Sequence, residues 1–254
     1  RRISPFLVLD FNAEYDFGPS ETVKGVGVHP HKGFETVTIA YKGSVAHHDS
    51  AGNSGVIKPG DVQWMTAGAG ILHKEYHEER FSKTGGPFEM VQLWVNLPKK
   101  DKSAKPHYQA ITAMQMGKVQ LPGNQGLVNV IAGNFNRIVG PAATYSPVNL
   151  FDIKLNKDGS LTTSIPASHN TALLVINGSI VVNGEKAPEH SFVLFNNEGE
   201  EIEIKAVENS VILLLSGEPI QEPIASYGPF VMNTQEEIHE AMQEFQSGKY
   251  GTLH

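Results

Sequence analysis

The 254-residue sequence predicts an all-β protein of two antiparallel β-barrels followed by a short C-terminal helix. Three observations support this: β-branched and aromatic runs recur between turn signals, the two halves repeat each other, and the chain switches to a helical period near its end. In the first half the runs are Thr36 to Tyr41 before Lys42-Gly43, Gly55 to Lys58 before Pro59-Gly60-Asp61, and Met90 to Leu97 before Pro98. The second half offers Ala172 to Ile176, Ser179 to Val182, Ser191 to Phe195, Glu201 to Ala206 and Val211 to Leu215.

The repeat is found by aligning Gly43-Ser44-Val45 with Gly178-Ser179-Ile180, which brings Thr36 to Val45 against Thr171 to Ile180 without a gap. Two barrels of one fold are the simplest reading, over residues 1–148 and 149–254, the first barrel ending near Leu97 or somewhat later. Lys99 to Pro106, with four Lys and one Asp, reads as a solvated crossing. At the C-terminus, Thr234 and Glu237 make a capping box, and Ile238, Ala241, Met242 and Phe245 follow at i, i+3, i+4, i+7 before Gly248. This predicts a helix over about Gln235 to Ser247, counted with residues 149–254 and packing its apolar face on a barrel.

A formal charge of −7 argues against direct binding of nucleic acid, which relies on clustered Lys and Arg. No apolar run approaches the roughly 20 residues that a membrane span needs. No signal peptide is visible, and the expected location is the cytoplasm. With no Cys there is neither disulfide nor thiolate, so any metal must sit on His and carboxylate.

Those donors are concentrated in two short motifs. His29-Pro-His31 sets two imidazoles one strand period apart, hence on one face, and His73-Lys-Glu75 repeats the arrangement with a carboxylate second. Two such strands can close a shell of three nitrogens and one oxygen, suited to Fe(II), Mn, Ni, Cu or Zn rather than Ca or Mg. Glu35 is a rival carboxylate, since it lies four residues after His31 with the same parity. If Gly33 kinks the strand, Glu35 instead turns away. His47 and His48 must face opposite sides, with His47 a candidate for supporting the site or touching substrate. His77 lies one strand period beyond Glu75 and is a candidate for the cavity mouth. Phe34, Trp64 and Met65 read as barrel packing, and an aromatic lining would suit a flat ligand. His107, His169, His190, His239 and His254 lack any constellation and read as surface or satisfied core.

The two-motif pattern, with a Gly at Gly43 and a turn at Pro59-Gly60-Asp61 before a late His, is close to that of cupins. More closely, His29-Pro-His-Lys-Gly-Phe-Glu-Thr-Val-Thr, Pro59-Gly-Asp-Val-Gln-Trp-Met-Thr-Ala-Gly with Gly70-Ile-Leu-His-Lys-Glu75, Gln92-Leu-Trp-Val-Asn-Leu, and Gly217-Glu-Pro-Ile with Tyr227-Gly-Pro-Phe-Val-Met-Asn-Thr resemble the pirin family over nearly the whole chain. Pirins are bicupin proteins, so the resemblance implies two cupin-type antiparallel β-barrels. It implies metal ligands at His29, His31, His73 and Glu75, favouring Glu75 over Glu35, and iron as the metal. The chain begins at Arg1, just before Ile3-Ser-Pro-Phe-Leu, so an N-terminal strand or two is expected to be missing.

Some pirins act as quercetin 2,3-dioxygenases, and a eukaryotic member is a nuclear transcriptional co-regulator. The resemblance therefore implies one of two functions: an Fe(II)-dependent dioxygenase that takes O2 and a flavonol-like phenol, or a metal- and redox-responsive regulator that turns nothing over and binds a protein partner. In the first, Glu75 accepts the substrate hydroxyl proton, or Glu35 does so if Glu75 stays on the metal. Three neutral imidazoles and one carboxylate leave a site charge of +1 around a divalent ion, which attracts a deprotonated flavonol. In the repeat register His29, His31 and Glu35 fall on Ser164, Pro166 and Asn170, and a looser register sets Ile202 and Ile204 against His73 and Glu75. The second barrel is expected to be metal-free.

Overall fold

The computed structural model describes residues 2–253. The first strands are β1 (Phe6–Phe17), β2 (Gly25–His31), β3 (Phe34–Lys42), β4 (Val45–Asp49), β5 (Ser54–Ile57), β6 (Val62–Thr66), β7 (Ile71–His77), β8 (Gly86–Asn96) and β9 (His107–Ile111), with helix α1 (Glu79–Thr84) between β7 and β8. The second set is β10 (Gly117–Leu121), β11 (Gly126–Ala132), β12 (Asn134–Phe135), β13 (Ile138–Val139), β14 (Val148–Leu155), β15 (Ser160–Ser164), β16 (Asn170–Asn177), β17 (Ile180–Val182), β18 (Glu185–Ala187), β19 (Phe192–Leu194), β20 (Glu201–Ala206) and β21 (Ser210–Gly217). A hairpin of β22 (Ala225–Tyr227) and β23 (Phe230–Met232) leads into helix α2 (Gln235–Gln246).

The expected repeat is present as topology. Sheets ordered β1-β8-β3-β6-β9 and β2-β7-β4-β5 in the first half are matched by β14-β21-β16-β19 and β15-β20-β17-β18 in the second, so β1 to β8 recur in order as β14 to β21. The ladders joining them are antiparallel, and the fold is of the bicupin type. Gly43 and Gly178, the two residues that set the alignment, both occupy turns at positive φ (72° and 79°), where a side chain would be strained.

The chain divides into two compact units, and the division differs from the expected cut at residue 148. Phe6–Ala113 group with the C-terminal segment from Ile220, whereas Met114–Pro219 group with the N-terminal residues through Pro5. Residues 114–148 belong with the second sheet pair because β10 and β11 extend its ladder through β14. The C-terminal helix belongs with the first unit because Ile238 and Ala241 pack with Ala225, Phe230, Met232 and Tyr250, and Leu72 of β7 joins that cluster. Its Thr234–Glu237 capping box forms as expected, and Phe245 is 41% exposed at the edge of the cluster, beside Phe230 and Tyr250. Lys99 to Pro106 is not wholly solvated either. Lys102 is buried and donates to the Gly33 carbonyl (2.8 Å), Asn96 Oδ1 (2.6 Å) and the Val231 carbonyl (2.9 Å), and burial draws its pKa down to about 8.

The two units fill their interiors differently. In the second, one apolar core draws on both sheets, including Val128, Phe151, Leu173, Ile202, Ile204 and Leu214. In the first, the two sheets meet both through an apolar cluster of Ala40, Val45, Ile57 and Phe88 and through polar side chains such as Thr38, Gln63 and Gln92 against Glu75.

Candidate metal centre

Strand β7 runs between β2 and β4, so its inward side chains are flanked on both sides. His29 stands opposite His73 on β2, and His47 and Asp49 stand opposite Glu75 and His73 on β4. Pro30 fits between the two β2 histidines because β2 is an edge strand and needs no further ladder bond there.

The three motif histidines converge. Ring centroids lie 4.8 Å apart for His29–His31, 4.2 Å for His29–His73 and 4.7 Å for His31–His73, and one donor atom from each lies within 4.8 Å of the others. His29 Nδ1 sits 2.8 Å from the Gly27 carbonyl, which makes Nδ1 the protonated nitrogen and leaves Nε2 as a donor to a cation. His31 hydrogen-bonds to the Pro229 carbonyl while its Nδ1 has no partner, and neither ring nitrogen of fully buried His73 has one. Burial, followed by neighbouring His29, draws His31 down to about 3, and burial with His31, His29 and His47 holds His73 well below the usual imidazole range. Buried imidazoles that are neutral and lack hydrogen-bond partners carry a desolvation cost that a divalent cation would relieve. The donor set therefore fits a divalent transition metal.

Glu75 stands to one side of this triad. Its Oε1 accepts from Thr38 Oγ1 (3.1 Å) and Gln63 Nε2 (3.2 Å), and its Oε2 accepts from Gln92 Nε2 (2.7 Å). The expected four-ligand set is thus two overlapping triads, His29–His31–His73 and His47–His73–Glu75, that share His73. The three amide and hydroxyl donors on the facing sheet account for the position of the carboxylate.

His47 is fully buried beside the triad, as a supporting residue would be. Its Nε2 lies 3.4 Å from Asp49 Oδ2, its Nδ1 has no partner, and its ring stacks on Tyr108 at 5.0 Å. Asp49 is itself fixed by the backbone N–H groups of Ala51 and Asn53 and by the Asn53 amide. Burial, with Asp49 and Glu75 nearby, pushes the Tyr108 hydroxyl up to about 12, so it remains a donor. His48 faces away, as adjacent strand residues must, and pairs with Tyr76.

Glu35 is not brought to the histidines. Gly33, at φ 85°, breaks β2 from β3 and reverses the parity, so Phe34, Thr36 and Thr38 take the cavity face. Glu35 lies on the opposite face, where it accepts from Thr66 Oγ1 at 2.7 Å, and burial raises it to about 7. His77 shares the face of Glu75 but does not flank a mouth; it is enclosed by Phe17, Phe88 and Phe81 at centroid distances of 4.7, 4.7 and 5.2 Å. Phe34 and Met65 are fully buried, and Phe34 packs between His31 and Trp94. Trp64 lies on the Glu35 face, opposite Val37. Among the remaining histidines, His107 and His239 are exposed, His169 is half-buried beside Ser216, and His254 lies outside the described residues.

Sequence reasoning missed Thr38, Gln63, Gln92, Asp49, Tyr108 and the Pro229 carbonyl. For the first three a signal existed, since each is an uncharged polar residue inside a strand rich in apolar residues. Pro229 carries none, because its role depends on a contact between residues 198 positions apart, 229 minus 31.

Comparison with known proteins identifies the family. A family model described as "Pirin" matches residues 1–95, and one described as "Pirin C-terminal cupin domain" matches residues 150–251. A Pseudomonas aeruginosa protein named "Putative quercetin 2,3-dioxygenase PA2418" is 48% identical over 100% of this chain and 89% of its own length. Human "Pirin" is 36% identical over 99% of this chain and 84% of its own length. A crystal structure titled quercetin 2,3-dioxygenase, from Acinetobacter baumannii, superposes with a TM-score of 0.95 at 48% identity, covering 100% of this chain and 88% of that one. With relatives this similar along its whole length, the chain belongs to the pirin family.

Proposed function

We propose that this protein is a metal-dependent dioxygenase of the quercetin 2,3-dioxygenase type, using Fe(II) and O2 to open the heterocycle of a flavonol or similar phenol. The observation that carries this reading is the convergence of half-buried His29 with two buried imidazoles, His31 and His73, beside a carboxylate. Likeness to the relatives named for that activity supports it.

His29, His31 and His73 would hold the metal, with Glu75 as the fourth ligand when its carboxylate leaves its cradle. A bound divalent iron supplies a Lewis acid for the phenolic oxygen and a one-electron partner for O2. Glu75 takes the proton of the substrate 3-hydroxyl at a carboxylate oxygen, while Gln63, Gln92 and Thr38 keep hydrogen bonds to it. His47, held by Asp49 and with an unpartnered Nδ1, lies beside the same region. Trp94, half-buried and 5.4 Å from His31, offers a flat face to an aromatic ring. Overall the flavonol and O2 give a ring-opened ester and carbon monoxide, with both oxygen atoms retained in the organic product.

The test is to load the protein with Fe(II), verify occupancy by elemental analysis, and follow quercetin loss and carbon monoxide release in air. Both are expected together, in equal amounts. A filled site with no quercetin consumed would overturn the enzyme reading and leave a metal-responsive binding protein. No helix among the described residues is long and apolar enough to cross a membrane.

A further inference from the structure

The C-terminal segment reaches the residues next to two of the histidines. Lys32, which follows His31, donates its backbone N–H to the Pro229 carbonyl at 3.2 Å and accepts from Val231 N–H at 3.0 Å, forming a parallel bridge with Phe230. The same Pro229 carbonyl hydrogen-bonds to the His31 ring. The Lys32 ammonium pairs with Glu244 of α2 and with the Ala69 carbonyl at 3.2 Å. On the other ligand strand, Leu72, which precedes His73, donates its N–H to Ser50 Oγ at 3.0 Å, and that hydroxyl donates to the Tyr250 carbonyl. Tyr250 is held in turn by its hydroxyl, which donates to the Ala241 carbonyl at 2.8 Å.

From this we infer that the segment from Ala225 to Tyr250 is a positioning element of the metal centre, fixing the His31 ring through Pro229 and the β2 and β7 backbones through Glu244 and Tyr250. The inference rests on the metal-centre reading above. Strand β2 is an edge strand carrying two of the three converging imidazoles, and the first unit's own sheet leaves one side of it unpaired. An edge strand is free to splay, and a metal site loses affinity when its donors must be gathered at the moment of binding. The C-terminal segment supplies what is missing: a carbonyl for the second ring nitrogen of His31, a backbone partner for Lys32 and an ion pair that holds it. Groups that orient a metal-bound imidazole in this way typically contribute about 10- to 100-fold in metal affinity. Simple stabilisation by the helix would raise resistance to unfolding without altering the geometry at the ion.

Cobalt(II) separates these possibilities, because its visible absorption reports ligand geometry as well as occupancy. Glu244→Gln weakens the hold on Lys32 and Ser50→Ala cuts the link from Tyr250 to Leu72, both in the full chain. His239→Gln, on the exposed side of the same helix, is the control. Both test variants are expected to bind cobalt(II) about tenfold more weakly in chelator competition, with shifted absorption bands, while His239→Gln matches the parent. Should Glu244→Gln fail to fold, Ser50→Ala decides alone. Affinities within twofold of the parent and superimposable spectra would overturn the positioning role. A parent chain that bound no cobalt(II) would sink the metal-centre reading and this inference with it.

Discussion

Gln92 Nε2 donates to Glu75 Oε2 at 2.7 Å across the interior of the first unit, from the sheet that faces the one carrying Glu75. Among the described residues Oε2 has no other hydrogen bond, whereas Oε1 has two, from Thr38 and Gln63. Gln92→Leu should therefore disturb the carboxylate at its less supported oxygen while leaving the three histidines in place. Turnover of quercetin by the metal-loaded variant is expected to fall by about 100-fold, the lower range for loss of a proton-transfer group. Metal content, measured by elemental analysis on the same sample, should stay within a factor of two.

Removing a converging imidazole should act on occupancy instead. His31→Ala and His73→Ala each leave at most two of the triad, and purified protein is expected to carry less than about a tenth of the parent's metal. His48→Ala, on the outward face of β4, should retain it. Equal metal content in parent and His31→Ala protein would sink the site assignment.

Glu35 provides a test by pH. Burial, partly offset by the hydrogen bond from Thr66, raises its pKa from 4.5 to about 7 in the folded chain. Between those values the unfolded chain has released a proton that the folded chain retains, so this group lowers stability as pH rises through the window, and its effect levels off above pH 7. The full effect is on the order of 3 kcal/mol. Glu35→Gln is expected to match the parent near pH 4.5 and to exceed it in urea-unfolding stability at pH 8, with both proteins metal-free. A pH-independent difference between the two would refute the assignment.

Gly33 joins the two parities at φ 85°, and a Cβ there would lie 2.0 Å from the Val231 carbonyl oxygen. Gly33→Ala is expected to cost about 2 to 4 kcal/mol of unfolding free energy, combining backbone strain with displacement of β23. Thermal unfolding of the metal-free protein measures this directly.

These residues also show how much the chain announces in advance. Two-residue spacing alone sets His29 with His31 and His73 with Glu75, because a strand has no other way to arrange alternate side chains. The repeat around Gly43 and Gly178 likewise announces two units of one topology, since the same turn glycines and apolar alternation recur. The capping box of α2 is local and therefore readable. The 12-residue β1 was not anticipated, because its second half, Asn12 to Asp16, is exposed and lacks the alternation that marks a half-buried strand.

What the sequence determined by itself was local and periodic: the strand faces, the duplicated topology, the capped helix, and the concentration of donors in two motifs with no cysteine to compete. The tertiary structure decided everything that depends on contacts between distant segments. It set Glu75 in a cradle of Thr38, Gln63 and Gln92, turned Glu35 to the far face, enclosed His77 in phenylalanines, and joined the C-terminal helix to the first unit rather than the second. The physical reason is the same in each case. Periodicity fixes the side of a strand on which a residue lies, but the partner it meets there is fixed by hydrogen bonding and burial among segments that are far apart along the chain.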